Sequence, residues 1–266
     1  MTTRRFIQCD VFSKHATKGN ALAVVVDGQG LCDQQMQDFA AWTNLAETTF
    51  LSSPTMNEAD YKVRIFTPAR EMPFAGHPTL GSCAAWLHTG GIPQTRGVVR
   101  QECGVGLVDI DVSGSKLAFA APPTTQGPLE AGLERVIAQI FKINPARVVR
   151  SVALANGPHW KVLQLDSAAA VLEVDSSLGR YPTFVGIGLI GPHPTGSECD
   201  CEVRMLCPSS GMSEDPVTGS LCAAIAQWKY GSGEWTGDKI IAQGTRLGRR
   251  GRVYLRRDEV AGQVWV

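Results

Sequence analysis

Four side chains of this 266-residue chain have the types and settings expected of acid–base chemistry. Glu47 lies in the apolar run NLAETTFL, while His77 and Asp215 lie in turns rich in glycine and proline, AGHPTLG and EDPVTGS. Ser220 follows Asp215 at the end of the second turn. Because burial penalises the charged form of a carboxyl group, we expect the pKa of Glu47 to rise toward neutrality. Glu47 is therefore predicted to take and return a proton at physiological pH.

Each of these residues also has an explanation that involves no catalysis. Ser220 can cap a helix, Asp215 before a proline can form a turn, and His77 can be a hydrogen-bonded loop histidine. A serine, a histidine and an aspartate also raise the possibility of a hydrolase triad. The sequence disfavours a triad, since it has no GxSxG element and Ser220 is followed by Leu221 and Cys222 on an apolar helix.

The stretch that contains His77 recurs later in altered form. Shifting 63–85 by 140 positions places it over 203–225, with coincident residues at Val63/Val203, Arg64/Arg204, Pro68/Pro208, Met72/Met212 and Ala84/Ala224. Each copy predicts a strand, a loop and a turn that opens a helix of small residues, at 79–88 and at 219–230. Two such units facing each other would bring two helix N-termini together. Their unpaired backbone N–H groups would form a site for an anion.

The remaining segments predict many strands and few helices. Outside the repeat, helices are predicted at 33–43 and 129–141. Strands are predicted at 4–12, 21–27, 44–51, 61–67, 97–103, 106–112, 116–120, 148–154, 160–165, 184–190, 239–242, 252–256 and 263–266. Few strand pairs are bridged by helices. This pattern favours an α/β (α+β) fold with two halves, each a mixed or antiparallel sheet curled around a central helix.

A segment rich in proline divides the chain. The linker is predicted at 122–128, PPTTQGP. The N-terminal half is then 1–121 and the C-terminal half 129–256. The last strand, within 257–266, is expected to complete the N-terminal half.

Composition excludes several classes of function. With 44% hydrophobic and 19% charged residues, the chain is expected to be a soluble globular protein. Because 25 basic residues balance 25 acidic ones, we expect no nucleic-acid partner. No segment is long enough to span a membrane, and the N-terminus lacks the apolar core of a signal peptide. The scattered cysteines favour reduced thiols in the cytoplasm. The eight cysteines contain no CxxC pair and predict reduced thiols; Cys199, Cys201 and His193 lie close in sequence, but no metal site is expected.

Three motifs occur in a defined order along the chain. They are NLAETTF around Glu47, FTP running into EMPFAGHPT around His77, and EDPVTGS ending at Ser220. Together they resemble the PhzF family of phenazine biosynthesis-like isomerases, which are related in fold to diaminopimelate epimerase. The resemblance runs from Phe6 to the C-terminus. It implies two pseudo-symmetric α/β halves with the active site in the cleft between them, and it also implies a homodimer.

The resemblance implies a proton shift without a cofactor. In members that make phenazine precursors, the glutamate matching Glu47 moves a proton between two carbons of a dihydro-hydroxyanthranilate ring, and the enol product relaxes to a ketone. The positions matching His77, Asp215 and Ser220 hold polar groups of the substrate and assist the proton transfers.

Further candidate residues for substrate binding are Asn20, Gly76, Thr218 and Gly219. The two glycines let backbone approach a ligand closely, and the two helix N-termini can stabilise a substrate carboxylate. The expected partner is a small unsaturated or cyclic metabolite that bears a carboxylate, with trans-2,3-dihydro-3-hydroxyanthranilate as one candidate.

Two other functions stay open at this point. An amino-acid epimerase or racemase with non-thiol bases would need Asp215 or His77 to face Glu47 across the substrate. Diaminopimelate epimerase uses one thiol from each half, but the 140-residue offset places Ala75 and Asp215 at the corresponding positions. A two-thiol racemase is therefore disfavoured. The second alternative is a small-molecule binding protein that keeps the site without turnover.

Overall fold

The computed structural model describes residues 3–179, 185–208 and 213–266, and the chain divides into two units, Met1–Ala120 and Ala121–Val266. Phe184, in the strand predicted at 184–190, and Met212, in the predicted repeat, lie outside the described residues. No helix in the described ranges is long and apolar enough to cross a membrane.

The first unit forms an eight-stranded sheet in its described residues. Its helices are α1 (Asp33–Thr43) and α2 (Gly76–His88), and its strands are β1 (Phe6–Val11), β2 (Asn20–Val25), β3 (Glu47–Ser52), β4 (Tyr61–Phe66), β5 (Glu71–Met72), β6 (Val98–Cys103), β7 (Gly106–Asp111) and β8 (Ala118–Phe119). The strand order is β1-β2-β3-β4-β6-β7-β8, and β5 pairs with β4.

The central helix of this unit is α2. It contacts β1 and β8, which lie at opposite ends of the strand order, so the sheet curls around the helix. Small residues let the helix approach the sheet closely. A Cβ atom at Gly81 would lie only 2.5 Å from a methyl carbon of Leu22 and 3.0 Å from one of Val11. The small residue at Gly81 therefore lets α2 pack closely against β1 and β2.

The second unit forms a nine-stranded sheet in its described residues. Its helices are α3 (Leu133–Ile140), α4 (Ala168–Glu173) and α5 (Gly219–Gly231), and its strands are β9 (Thr125–Gly127), β10 (Val148–Ala155), β11 (His159–Leu165), β12 (Gly186–Pro192), β13 (Cys201–Leu206), β14 (Glu214–Asp215), β15 (Lys239–Gln243), β16 (Gly251–Arg257) and β17 (Val264–Trp265). The order is β17-β16-β15-β13-β12-β11-β10-β9, with β14 paired to β13, and α5 contacts β10, β16 and β17.

The two units share one topology. Strands β1 to β8 correspond in order to β10 to β17, and α2 corresponds to α5. In both units the second and third strands are parallel, as are the fourth and sixth. The strand β9 and the helix α3 occur in the second unit alone among the described elements. The predicted α/β (α+β) class, with two similar halves that each surround a helix, is confirmed.

The offset of the repeat changes part of the way along it. The strands β4 and β13 begin 140 positions apart, at 61 and 201, but α2 and α5 begin 143 positions apart, at 76 and 219. The reason is that the chain between the strand and the turn is three residues longer in the second unit, 207–213 against 67–70. Asp215 therefore corresponds to Met72 and not to Ala75, whose true equivalent is Thr218.

Other boundaries also differ from the predictions. The segment 122–128 contains β9, which pairs with β10, so part of the predicted linker is a strand. The final strand β17 pairs with β16 and lies in the second unit, not in the first. The helix predicted from 79 already begins at Gly76, and the one predicted at 129–141 spans Leu133–Ile140. The short helix α4 was not predicted, although Ser167 caps it by accepting from Ala170 N–H.

Candidate active site

Glu47 is the first residue of β3 and follows the turn that ends α1. That helix ends because Asn44 adopts a left-handed conformation, with φ of 54°, while its N–H donates to the carbonyl of Ala40. Glu47 then pairs with Leu22 of the parallel strand β2. Its side chain is 17% exposed. The carboxyl group is thus held at the end of a rigid strand with limited access to solvent.

His77 lies beside this carboxyl group, in the first turn of α2. Its Nε2 is 3.3 Å from Oε2 of Glu47, although the two atoms are not aligned for a hydrogen bond with each other. Burial lowers the pKa of His77 to about 3, and a backbone hydrogen bond with Ala21 acts in the opposite direction. At physiological pH His77 is a neutral imidazole. The contact therefore joins a neutral base to a carboxyl group and is not an ion pair.

Asn20 reaches the other nitrogen of the ring. Its Nδ2 lies 3.3 Å from Nδ1 of His77. In the tautomer in which this amide N–H donates to Nδ1, the ring proton is on Nε2, the nitrogen that faces Glu47. The loop before Asn20 is fixed by Asp10, whose carboxylate accepts from the backbone N–H groups of Lys18 and Gly19 at 3.0 and 2.9 Å.

A buried series of hydrogen bonds from Tyr61 through Gln101 to Thr79 holds the first turn of α2 in place. The hydroxyl of Tyr61 donates to Oε1 of Gln101, whose Nε2 donates to Oγ1 of Thr79. Thr79 in turn donates to the carbonyl of Ala75, the N-cap residue of α2. The N-cap residue supplies no side-chain hydrogen bond to the helix. Gly76 and His77 are thus held in place by backbone geometry and by this network.

In the second unit, Asp215 forms a compact hydrogen-bonded group with Thr218 and Gln243. Oγ1 of Thr218 donates to Oδ2 of Asp215 at 2.5 Å. Oε1 of Gln243 accepts from the backbone N–H of Thr218 at 2.9 Å, while Nε2 donates to Oγ1 of Thr218 and to the carbonyl of Asp215. All three side chains are buried. The polar groups of Thr218, a predicted substrate-binding residue, are thus engaged within the unit.

Ser220 occupies the position in α5 that His77 occupies in α2, one residue after the opening glycine. It is 4% exposed, and its carbonyl accepts from Nδ2 of Asn156 at 2.7 Å. The indole N–H of Trp160 holds the other end of that amide, donating to Oδ1 of Asn156 at 3.0 Å. An asparagine side chain therefore contacts each of the two equivalent residues: Asn20 contacts the ring of His77, and Asn156 binds the carbonyl of Ser220.

A buried ion pair holds the strand that carries Asp215. The guanidinium of Arg204 binds both carboxylate oxygens of Glu214, at 2.9 and 2.5 Å, and also donates to the carbonyls of Val171 and Val174. The side chains of Arg204 and Glu214 are 1% and 0% exposed. The first unit contains the same bidentate pair between Arg64 and Glu71 at its surface, where the side chains are 26% and 43% exposed.

Within each unit the structure brings several predicted residues together. Glu47, His77 and Asn20 converge in the first unit, and Gly76 opens α2. In the second unit Asp215 and Thr218 are in contact, and Gly219 and Ser220 open α5.

Sequence reasoning missed Gln101 and Gln243. Their partners Thr79 and Thr218 lie 22 and 25 residues away in sequence. The one sequence feature that could have identified them is that each is a glutamine in the strand that follows a central helix.

The thiols near these turns stay protonated because they are buried. Burial raises the pKa of Cys83 to about 12 and that of Cys222 well above its ordinary value. Ala75 and Thr218, the true equivalents in the repeat, carry no thiol. In the part of the chain that the structure describes, no group of three or more His, Cys, Asp or Glu side chains is arranged to hold a metal ion.

Comparison with known proteins identifies what this arrangement resembles. The sequence model of the family described as phenazine biosynthesis-like protein, PhzC-PhzF, matches residues 9–264. Antisense-enhancing sequence 1 of Schizosaccharomyces pombe is 34% identical, over 94% of this chain and 89% of that protein. Trans-2,3-dihydro-3-hydroxyanthranilate isomerase of Pseudomonas aeruginosa is 28% identical, over 98% of this chain and 92% of the enzyme.

A solved structure shows the same fold. The crystal structure of a PhzF-family phenazine biosynthesis protein from Bacillus anthracis superposes with a TM-score of 0.81 at 20% sequence identity. The superposition covers 100% of this chain and 94% of that one. The resemblance carried by the three sequence motifs is confirmed.

Proposed function

This chain belongs to the phenazine biosynthesis-like family PhzC-PhzF, and we propose that it is an isomerase that moves one proton between two carbons of a small carboxylate-bearing metabolite, with Glu47 as the proton carrier. No cofactor takes part in the proposed reaction. The observation that carries the proposal is the contact between Glu47 and neutral His77, 3.3 Å apart in a setting largely shielded from solvent.

The proposed reaction has two proton transfers. The carboxylate of Glu47 removes a proton from one carbon, so that a C–H bond breaks, an O–H bond forms and the electron pair enters the adjacent unsaturated system. Glu47 then returns the proton to a second carbon of that system, and an enol product relaxes to a ketone. No net oxidation or reduction occurs. A single carboxyl group suffices because it starts and ends the cycle ionised.

His77 is suited to assist as a neutral partner. Because its pKa is about 3, the ring does not become positively charged at physiological pH and does not hold Glu47 in a fixed ion pair. A neutral imidazole with its proton on Nε2 can donate a hydrogen bond to the carboxylate or to a polar group of the substrate. Asn20 keeps the ring in that orientation.

The roles implied by the family for the other residues are part of the proposal. Asp215 and Ser220 hold polar groups of the substrate. Gly76 and Gly219, the first residues of α2 and α5, let backbone N–H groups approach a carboxylate.

The substrate we propose to test first is trans-2,3-dihydro-3-hydroxyanthranilate. Relatives named for its isomerisation match almost the whole chain, at 28% identity. The compound has the features that the mechanism requires, a carboxylate and an unsaturated ring with a removable proton.

The test is an NMR assay in D₂O with this compound. Wild-type protein is run beside Glu47→Gln, which keeps the shape of the side chain and removes the base. The proposal predicts consumption of the substrate, with solvent deuterium at the receiving carbon in the fraction of turnovers in which the proton on Glu47 exchanges before it is returned. Neither event is expected in Glu47→Gln. Equal turnover by the two proteins would refute Glu47 as the carrier. If wild type is inactive, the same readout is applied to a panel of small unsaturated carboxylic acids chosen by thermal stabilisation. Wild type that binds such acids without isomerising any of them would refute the isomerase proposal.

We also propose that the enzyme is a homodimer, as the family implies. Light scattering on the purified protein measures this directly: twice the chain mass of 28.6 kDa is expected, and the mass of a single chain contradicts it.

A further inference from the structure

We infer that Gln243 and Thr218 are positioning residues that hold Asp215 as an oriented carboxylate. The inference rests on the proposed function only in giving Asp215 a part in the reaction. Its physical basis lies wholly within the second unit, in four hydrogen bonds among three buried residues.

The orientation of the Gln243 amide is fixed by two backbone groups. Oε1 lies 2.9 Å from the backbone N–H of Thr218, which can only donate. Nε2 lies 3.2 Å from the carbonyl of Asp215, which can only accept. Exchanging the amide oxygen and nitrogen would place donor against donor and acceptor against acceptor. The amide is therefore locked in one orientation.

The locked amide sets the direction of the next hydrogen bond. Nε2 of Gln243 also donates to Oγ1 of Thr218 at 3.0 Å, so that Oγ1 acts there as the acceptor. The one hydroxyl proton of Thr218 then points toward Oδ2 of Asp215, at 2.5 Å. A hydroxyl that donates to Oδ2 binds the ionised carboxylate more strongly than it binds the neutral acid. The arrangement favours the ionised form of Asp215 and fixes the plane of its carboxylate.

The nearby Glu214 and Cys222 do not take the place of Asp215 as the acceptor of the Thr218 hydroxyl. The carboxylate of Glu214 is bound by Arg204 at 2.5 and 2.9 Å. The thiol of Cys222 lies 3.6 Å from Oε1 of Gln243 and interacts electrostatically with Asp215, but its burial keeps it protonated.

The first unit supplies a matched control. Gln101 is equally buried, and its Nε2 donates to Oγ1 of Thr79 at 3.1 Å. There the hydroxyl proton passes to the carbonyl of Ala75 and not to a carboxylate. In both units a buried glutamine donates to a threonine hydroxyl, but of these two threonines only Thr218 donates its hydroxyl proton to an ionisable group.

The experiment follows the carboxyl carbon of Asp215 by ¹³C NMR during a pH titration, with its resonance assigned by Asp215→Asn. Thr218→Val removes the hydroxyl and retains the backbone bond to Gln243. We expect it to raise the titration midpoint of Asp215 by about 1–2 pH units, because a hydrogen bond to the charged form is lost. Gln243→Leu is expected to shift the midpoint in the same direction, Thr218→Ser to restore it, and Gln101→Leu to leave it unchanged.

This readout does not depend on turnover. A wild-type midpoint in Thr218→Val would overturn the inference, as would an equal shift in Gln101→Leu. If Gln243→Leu does not fold, Thr218→Val and Thr218→Ser decide the question alone. In the activity assay, Thr218→Val is expected to lower kcat with KM nearly unchanged. A shifted midpoint with unchanged kcat would support the positioning of Asp215 and contradict its part in the proposed reaction.

Discussion

The turn that opens α2 and the turn that opens α5 have the same construction. Each helix begins with a glycine, Gly76 or Gly219. In each unit a buried glutamine on the strand that follows the helix forms a hydrogen bond with a threonine of the turn. An asparagine reaches the next residue in both: Asn20 contacts the ring of His77, and Asn156 binds the carbonyl of Ser220.

The two units differ at the start of the third strand. The first unit has Glu47 there, paired with Leu22, and the second has Gly186, paired with Trp160. A Cβ atom at Gly186 would lie 2.9 Å from the Trp160 ring, so a side chain has no room. The duplicated scaffold thus places an acid in one copy and an aromatic ring in the other. This asymmetry is consistent with a reaction in which Glu47 is the single proton carrier.

The largest expected effect comes from removing the acid of the first unit. Glu47→Gln should lower kcat on the order of 10⁴-fold, because the group that accepts and returns the proton is lost. A control is Glu130→Gln, which changes an exposed carboxylate of the second unit and should leave kcat unchanged. Steady-state kinetics on both variants measure this. Activity of Glu47→Gln within tenfold of wild type would mean that Glu47, the acid found in the first unit only at this position, is not the proton carrier.

The second prediction compares one ion pair in two environments. Arg204→Met leaves Glu214 charged, buried and unpaired, and we expect it to lower the free energy of unfolding by about 3–5 kcal/mol. Arg64→Met breaks the equivalent surface pair with Glu71 and a second surface pair with Asp33, and it should lower the free energy of unfolding by about 1 kcal/mol or less. Urea unfolding of both variants gives the comparison. Similar losses would show that burial does not distinguish the two pairs.

The third prediction concerns the equivalent residues His77 and Ser220. His77→Ala should lower kcat by about 100-fold, because a group that assists proton transfer next to Glu47 is lost. Ser220→Ala should lower kcat by about tenfold, since one hydrogen bond to the substrate is worth about 1.4 kcal/mol. The reverse ranking would indicate that the second unit contributes more to proton transfer.

The last prediction is a pH dependence of stability, with a small effect per pH unit. The pKa of His77 falls from 6.5 in the unfolded chain to about 3 in the folded protein. The unfolded chain therefore binds one more proton at this site between those pH values. Stability from neutral His77 is complete above pH 6.5 and is lost at about 1.4 kcal/mol per pH unit as the pH falls toward 3.

His77→Gln lacks this contribution. The difference in unfolding free energy between wild type and His77→Gln should shrink as the pH is lowered from 6.5, as measured by urea unfolding at several pH values. A difference that stays constant with pH would show that His77 does not titrate in this way.

Much of the fold was predictable because it repeats. The strand of each copy and the small-residue helix carry the local pattern, so the two halves could be recognised without a structure. The ungapped offset then misaligned Asp215 with Ala75. Local pattern does not report a three-residue difference in loop length when both loops are rich in turn residues.

The candidate site was predictable as separate residues but not as geometry. Glu47 and His77 were identified by their settings, whereas their 3.3 Å contact depends on how α2 packs against β2 and β3. Gln101 and Gln243 were missed because their partners are distant in sequence. The role of Thr218 also became clear only when both of its polar groups were found to be engaged within the unit.

The most direct test of a single proton carrier is an isotope-transfer measurement. Substrate with deuterium at the carbon that loses its proton is converted in H₂O under single-turnover conditions, and the product is analysed by mass spectrometry. If the carboxyl group of Glu47, which is 17% exposed, takes and returns the same hydrogen as proposed, part of the product will carry the deuterium at the receiving carbon. Product that contains no deuterium at that carbon from the earliest time point would contradict transfer by one carboxyl group.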